Sequence, residues 1–332
     1  MKNSKRLLTR RRVIKILLLV VVYFLGTYLY SRVAGRFRVV TIHKLVSALS
    51  VMELRSIPSR EFKILAYNIA HGRGATDGNW DASAAEKAVR INEIADLLRK
   101  EDAEIVILNE VDFNSSWSGG LNQAEAIARA AGYPYWAEQR NLDFRVGWMN
   151  WRFGNAVLSR YPILSADAVE YPALNNWESW LVGQKKGMYC VIRHSSPYHF
   201  VVSPVHFEHR DENVRFESAK VLLDAIPDDL PFVCAGDFNS TPTGFPESRE
   251  TTNGENAMDY LRDTLKTYPV DSPREFELTF PTSEPKKVID WIMLSNAFDI
   301  DDYYAVDSDL SDHRPVVATV RLERPPAKEP SF

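Results

Sequence analysis

The fold class the sequence predicts is α/β: two packed mixed β-sheets flanked by helices, preceded by one N-terminal transmembrane helix. Three observations predict it. Apolar runs of strand length alternate with amphipathic stretches of helical spacing from residue 62 to residue 322. Some strands follow one another with no helix between them (155–161, then 189–194 and 199–207), which disfavours a purely parallel doubly wound sheet. Charge also divides the chain: residues 1–50 hold 11 of its 40 Lys and Arg and no Asp or Glu. The remainder carries 29 basic against 44 acidic residues, a balance of −15. A basic apolar head thus precedes an acidic body of ordinary globular composition.

Lys2, Lys5, Arg6, Arg10, Arg11, Arg12 and Lys15 crowd the start of the head, and the uncharged run Ile16–Tyr30 (ILLLVVVYFLGTYLY) follows at once. As a helix this run rises about 22 Å, short of the roughly 30 Å hydrocarbon core. Counting from Val13, with Lys15 snorkelling to the interface, extends it to about 27 Å. Tyr23, Tyr28 and Tyr30 suit an aromatic belt, and Arg32, Arg36 and Arg38 follow the run. The larger basic flank lies N-terminal, which favours that end in the cytoplasm and the body outside. A cleaved signal peptide is the rival, but no clean small-x-small cleavage site follows the run. A buried core helix fits poorly with so basic a flank. Residues 39–52 (VVTIHKLVSALSVM), broken by His43 and Lys44, read as an interfacial helix or a spacer.

In the body, FKILAYNIA (62–70) predicts a strand that stops at His71 and Gly72. Over 83–99, Ala84, Ala88, Ile91, Ile94, Ala95 and Leu98 share one helical face. EIVILNEV (104–111) reads as a buried strand and 122–131 as a short helix ended by Gly132. NAVLSRY (155–161), YCVIRH (189–194) and HFVVSPVHF (199–207) are strands, and 213–226 is an amphipathic helix. PFVCAGDF (231–238), KVIDWIMLS (287–295) and VVATVRL (316–322) complete the pattern. Two cysteines, Cys190 and Cys234, exclude a disulfide scaffold and a thiolate zinc site, and their different strands disfavour a bridge.

Polar residues recur where these apolar runs stop: Asn68, Glu110, His206, Asp237, Asn239, Asp290, Asp312 and His313. A carboxylate at the end of a hydrophobic strand is costly to desolvate unless something pairs with it. Any one of these residues alone is an ordinary cap or turn; their recurrence at strand ends points to one site. Asn, Glu and Asp offer hard oxygen ligands suited to Mg²⁺, Mn²⁺ or Ca²⁺, and two histidines add acid, base and anion-stabilising groups. His71, His194, His199 and His209 read as surface or structural residues.

The order YN (67–68), NE (109–110), GNAVLSRYPI (154–163), VHF (205–207), GDFN (236–239), ID (289–290) and SDHRP (311–315) resembles the endonuclease/exonuclease/phosphatase superfamily over roughly residues 62–322. The resemblance implies a four-layer α/β sandwich and metal-dependent hydrolysis of a phosphate ester, with Mg²⁺ or Mn²⁺ as cofactor. It implies Glu110 as the principal metal ligand, with Asn68 beside it and Asp312 near the metal. Asp237 is expected to orient or deprotonate the attacking water, and Asn239 to hydrogen-bond the phosphoryl oxygens or hold the nucleophile. His206 and His313 are expected to flank the phosphate, with Asp290 fixing His313. Asn155 and Arg152 are expected at the substrate. The sequence also departs from better-defined branches. GQKKGMYCVI (183–192) lacks the acid that supports the first histidine in some nucleases of the family. Neither the longer motif of abasic-site endonucleases nor the basic segments of inositol phosphatases are found.

The expected organisation is a basic cytoplasmic tail (1–12), a transmembrane anchor (13–30), a juxtamembrane linker (31–60), the catalytic domain (61–323) and a polar tail (324–332). The expected enzyme is a single-pass membrane phosphodiesterase acting outside the cytoplasm on nucleic acid or on a phospholipid or sphingolipid head group. No protein partner is inferable. An acidic body argues against a long basic nucleic-acid track. The Trp- and Arg-rich segment 141–155 and the aromatic stretch 175–187 are expected beside the cleft, on a base, on lipid or in the core. A phosphomonoesterase and a catalytically inactive binding module are the alternatives.

Overall fold

The computed structural model describes residues 10–45 and 61–322, except 176, 178, 180–182, 196–197 and 228. The polar tail, most of the basic tail and all of residues 46–60 therefore lie outside the described residues. Helix α1 (Arg10–Gly35) is followed by strands β1 (Val40–Lys44) and β2 (Glu61–Asn68), helix α2 (Ala84–Glu101), β3 (Ile105–Asp112) and α3 (Gln123–Ala131). Next come β4 (Tyr135–Val146), β5 (Met149–Ser159), β6 (Ile163–Val169), β7 (Gly187–Ser195) and β8 (Tyr198–His206). The chain continues through α4 (Glu212–Ala225), β9 (Phe232–Asp237), α5 (Ala257–Arg262), β10 (Asp290–Leu294), β11 (Phe298–Ala305) and β12 (Val316–Leu322).

The strands form a seven-stranded sheet, β1-β4-β5-β3-β2-β12-β11, and a five-stranded sheet, β10-β9-β8-β7-β6. Each is mixed: β2 and β3 run parallel in the first, β8 and β9 in the second, among antiparallel neighbours. Alternating side chains of the two sheets meet in one core, with Ile64, Ile107 and Val316 facing Ile192, Val202 and Ile292. The outer face of the larger sheet (Leu65, Val106, Leu158) buries the apolar stripe of α2, made of Ile91, Ile94 and Leu98. The outer face of the smaller sheet buries Phe216, Ala219 and Leu222 of α4 and Met258 and Leu261 of α5. The result is the four-layer sandwich expected from the sequence. Helix α2 starts where Ser83 and Glu86 close a capping box and stops at Asp102 in a left-handed conformation. Cys190 and Cys234 are both free; one faces the core between the sheets and the other the helical layer.

Two expectations are corrected at the N-terminal side. Residues 40–44, read as part of a linker and as interfacial helix or spacer, are an edge strand paired with β4 through Val40–Gln139 to Lys44–Tyr135. The segment 141–155 forms the outer half of the long β4–β5 hairpin, and its tip docks on α1. Ser31 Oγ accepts from Arg145 N at 2.8 Å, Thr27 Oγ1 accepts from Gly147 N at 2.9 Å, and Phe24 meets Trp148 edge-on at 5.4 Å. These helix positions recur every three or four residues, so they share one face. Gly147 sits at φ 61°, and a Cβ there would lie 2.7 Å from the Phe24 ring, so only glycine lets the hairpin approach this closely. The helix is otherwise uncovered: Leu18 and Leu19 are 61% and 68% exposed, which excludes the core-helix reading. Its stretch Arg12–Gly35, which contains an 18-residue window of mean hydropathy 2.2, is long and apolar enough to cross a membrane.

Candidate active site

Strand register brings the polar strand ends together. In the smaller sheet His206 pairs with Asp237 and Asp237 with Asp290, so three chemically active residues form one row across β8, β9 and β10. In the larger sheet Asn68 pairs with Asn109, and the β3–β5 register breaks between Leu108 and Val111. That irregularity puts Glu110 at φ 53° and turns its side chain out of the strand's normal alternation. Asn109 ties the two sheets: its Oδ1 accepts from Asp237 N at 2.9 Å and its Nδ2 donates to Asn155 Oδ1 at 2.9 Å. The approach requires Gly236, at φ 135°, because a Cβ there would stand 2.2 Å from Val205 O and 2.5 Å from Asn109 Oδ1. Gly236→Ala is therefore expected to destabilise the protein by about 1–3 kcal/mol, measured by denaturant melts. An unchanged melt would show that the sheets do not depend on this contact.

His313 and Asp290 form the acidic wall. Nδ1 of His313 donates to Asp290 at 2.9 Å, while its Nε2 lies 3.4 Å from Asn68 Nδ2 and 3.8 Å from Asp237 Oδ2. The ring is buried and packs on Phe280 at 4.6 Å. Burial alone would lower its pKa, but Asp290, Asp237 and Asp312 together raise it to about 10, so the imidazolium persists at neutral pH. Asp237 is buried too. Desolvation raises its pKa to about 6 against the pull of His313 and Lys185. Its carboxylate accepts from Asn68 Nδ2 at 3.1 Å and from Asn239 N at 2.9 Å.

Glu110 faces these groups from the other sheet. Burial opposes its charge, yet the neighbouring His71, His206, Lys185 and His313 hold its carboxyl well below the usual range. His71 Nε2 lies 3.5 Å and His206 Nε2 3.7 Å from its oxygens. His206 is pushed well below the ordinary imidazole range by burial and by Lys185, and so stays neutral. Lys185 Nζ lies 2.5 Å from His206 Nε2 and 3.1 Å from Nδ1. The stretch that lacks a supporting acid thus supplies a lysine, and His206 accepts a hydrogen bond instead of donating one to a carboxylate.

The structure gathers Asn68, Glu110, His206, Asp237, Asp290 and His313 around one cleft. Asn239 lies beside them, its Nδ2 donating to Phe207 O at 3.2 Å. Three expected positions differ in role. Asn155 is fully buried and its amide joins Asn109 to Gln139, so it holds the site from beneath and does not meet a substrate. Arg152 is turned to Asp143 at 2.7 Å. Asp312 is held by Arg73 at 2.6 Å. Lys185, Arg73 and His71 were missed. His71, read as surface or structural, is buried at φ 54°, its Nδ1 on Asp112 at 2.9 Å, while Trp117 Nε1 donates to the other Asp112 oxygen at 2.7 Å. The only signal in the sequence was its place directly after the first strand.

The donor set fits a hard divalent cation. Glu110 is an ionised oxygen donor lining the cleft, and Asn68, whose Oδ1 accepts from Ala70 N at 3.0 Å, carries a second oxygen. Burial lowers the pKa of Lys185, while Glu110, Asp237 and Glu208 draw it the other way, so the acids here favour a positive charge among them. Among the described residues Asp237, Asp290 and His313 also bring ligand atoms within 4.8 Å of one another. The His313–Asp290 hydrogen bond, with Asp237 Oδ2 3.8 Å from His313 Nε2, marks them as an acid–base group.

A two-sheet sandwich with carboxylates and histidines converging at its strand ends defines a phosphoester hydrolase class. The sequence matches the Endonuclease/Exonuclease/phosphatase family over residues 65–313, and the chain belongs to that family. Members of the family are hydrolases of phosphate esters and generally depend on a divalent metal. Solved structures share the fold at low identity. An endonuclease/exonuclease/phosphatase from Beutenbergia cavernae superposes with TM-score 0.62 at 21% identity, covering 81% of this chain and 73% of its own. The human Nocturnin catalytic domain with bound sulfate gives 0.55 at 15%, covering 86% and 97%. A mannosyl-6-phosphatase of Bacteroides thetaiotaomicron gives 0.54 at 16%, covering 78% and 99%. No curated protein matches the chain.

Proposed function

We propose that this chain is a membrane-anchored, Mg²⁺- or Mn²⁺-dependent phosphodiesterase with its body on the extracytoplasmic side. The observation that carries the activity is the opposition of an ionised Glu110 to the His313–Asp290 pair, with Asp237 between them. The apolar, uncovered α1 and its N-terminal basic flank support the anchor.

Glu110, with Asn68, would hold the metal, which when bound supplies Lewis-acid stabilisation of charge on the phosphate. The chain's own groups do the rest. Asp237, ionised above about pH 6, accepts a proton from water that it orients; Asn68 and the Asn239 amide hold its carboxylate in place. The His313 imidazolium offers its Nε2 proton to a phosphoryl or leaving oxygen, while Asp290 keeps it charged and fixed. His206 and Lys185 form the far wall, where the ammonium adds positive charge for an anionic substrate.

Hydrolysis of bis-p-nitrophenyl phosphate is expected to stop in EDTA and to return with Mg²⁺ or Mn²⁺. Full activity in chelator would remove the metal from the mechanism. The pH profile gives a second test. His313 acts protonated, so the rate should fall as pH rises through about 10. Asp290→Asn removes the main carboxylate that holds this charge, so the alkaline fall should move down toward the ordinary imidazole range of about 6.5. An unmoved limb would assign it to another group. The same pair contributes stability that is complete below the unfolded imidazole pKa and lost as pH rises through the folded value.

A further inference from the structure

A second cavity, about 330 Å³, opens where the outer end of α1 meets the body. It adjoins the cleft of about 250 Å³ that contains Glu110 and Lys185, and the two share Asn141, Ser179, Gly183 and Gln184 in their walls. The helix supplies apolar Tyr28, Leu29 and Val33 to this cavity, and Arg32 and Arg36 one turn apart; the body adds Arg140 and Lys186. Among the described residues Asp143 is the one acid in the wall, already paired with Arg140 at 2.7 Å and Arg152 at 2.7 Å. Lys186 reaches Glu170 outside it. Among the described residues neither Arg32 nor Arg36 has a carboxylate within ion-pair distance, and the buried Nε of Arg140 has no hydrogen-bond acceptor. Among the described residues the cavity thus sets the Arg32 and Arg36 guanidinium groups, without a carboxylate partner, beside an apolar wall.

Its position follows from the hairpin clamp. Ser31, Thr27 and Phe24 fix the β4–β5 tip along about 10 Å of the helix. Trp148, 71% exposed, lies against Phe24 and beside Leu19, Val20 and Tyr23 of the apolar run. With the apolar run Ile16–Tyr30 in the bilayer, Arg32 and Arg36 stand at headgroup level, and Tyr28 and Leu29 face the upper acyl region.

We infer that this cavity takes the headgroup of an anionic glycerophospholipid from the membrane that holds α1 and passes its phosphodiester into the cleft at Lys185. The inference rests on the phosphodiesterase assignment and names its substrate. Hydrolysis breaks one ester P–O bond; the water oxygen stays on phosphorus and a proton goes to the leaving alkoxide. The shared wall sets the two cavities side by side, and the two arginines favour an anionic headgroup over a zwitterionic one.

The test uses the full chain in nanodiscs of phosphatidylcholine with phosphatidylglycerol, in Mg²⁺. Four rates are read: phosphatidylglycerol, glycerophosphoglycerol (the same diester without acyl chains), a single-stranded oligonucleotide and bis-p-nitrophenyl phosphate. Phosphatidylglycerol is expected to be hydrolysed at least about tenfold faster than glycerophosphoglycerol. In the Arg32→Glu/Arg36→Glu chain the ratio of phosphatidylglycerol to bis-p-nitrophenyl phosphate rates is expected to fall about tenfold. Three outcomes overturn the inference and leave the phosphodiesterase standing: hydrolysis of bis-p-nitrophenyl phosphate without the lipid, preference for the oligonucleotide or the free diester, or an unchanged ratio in the double variant. Hydrolysis of none of the four overturns the phosphodiesterase assignment, and the inference with it.

Discussion

His313→Ala is expected to slow phosphodiester hydrolysis by about 10²–10⁴-fold, the usual contribution of a positioned general acid. The ring is buried, and its Nε2 lies within 4 Å of both Asn68 and Asp237 at the centre of the cleft. Its charge is a product of the fold: Asp290, from the neighbouring strand, overcomes the cost of burial. The loss has a second consequence. Without the imidazolium, Asp237 and Asp290 face each other as buried acids, and Asp237, already raised to about 6, rises further. The water-orienting carboxylate is then less ionised at neutral pH, so the remaining rate should climb more steeply with pH than in the parent. Removing one partner of a buried pair costs stability, on the order of 3–5 kcal/mol. His313→Gln, which can still donate to Asp290, separates the roles: it should restore the melt and leave the rate low. A near-parental rate in either variant would make His313 structural.

Glu110→Gln is expected to cost about 10²-fold or more and to weaken the response to Mg²⁺, since a divalent metal supplies several kcal/mol of charge stabilisation. The substitution keeps shape and removes only charge. It leaves His71, His206 and Lys185 facing a neutral amide, so the site loses its attraction for a divalent cation. The check is the Mg²⁺ dependence of kcat and of apparent affinity in parent and variant. An unchanged Mg²⁺ titration would move the metal to the Asp237, Asp290 and His313 group, the other cluster with ligand spacing.

Much of the fold and site was legible because the relevant signals are local. Strands β2, β3, β9 and β12 are continuous apolar runs, and α2 shows a clean stripe beneath its Ser83 cap. The ends of such runs marked Asn68, Glu110, His206, Asp237, Asp290 and His313. What stayed hidden depends on contacts distant in sequence. Strand β1 needs the exposed edge of β4 to pair with, and its His43 and Lys44 broke the apolar pattern. Strand β11 alternates acids with apolar residues over an irregular register at Ile300, which blurs its period. Asn155 read as a cleft residue because its neighbours do, yet a cross-strand amide chain to Asn109 and Gln139 buries it. Lys185 stood out only as part of the aromatic stretch 175–187 and of a segment lacking an acid; its contact with His206 is visible only in the fold. His71 was hidden for the same reason, since its partner Asp112 lies on another strand.

The central claim is that Glu110 holds a divalent ion on one side of a phosphate and His313 stands on the other. Crystals soaked in Mn²⁺ and inorganic phosphate test it through the anomalous difference map. The account predicts a manganese peak at coordinating distance, about 2.1 Å, from a Glu110 oxygen, with phosphate between that ion and His313 Nε2. Manganese bound away from Glu110, or phosphate bound outside the Glu110–His313 gap, would contradict it.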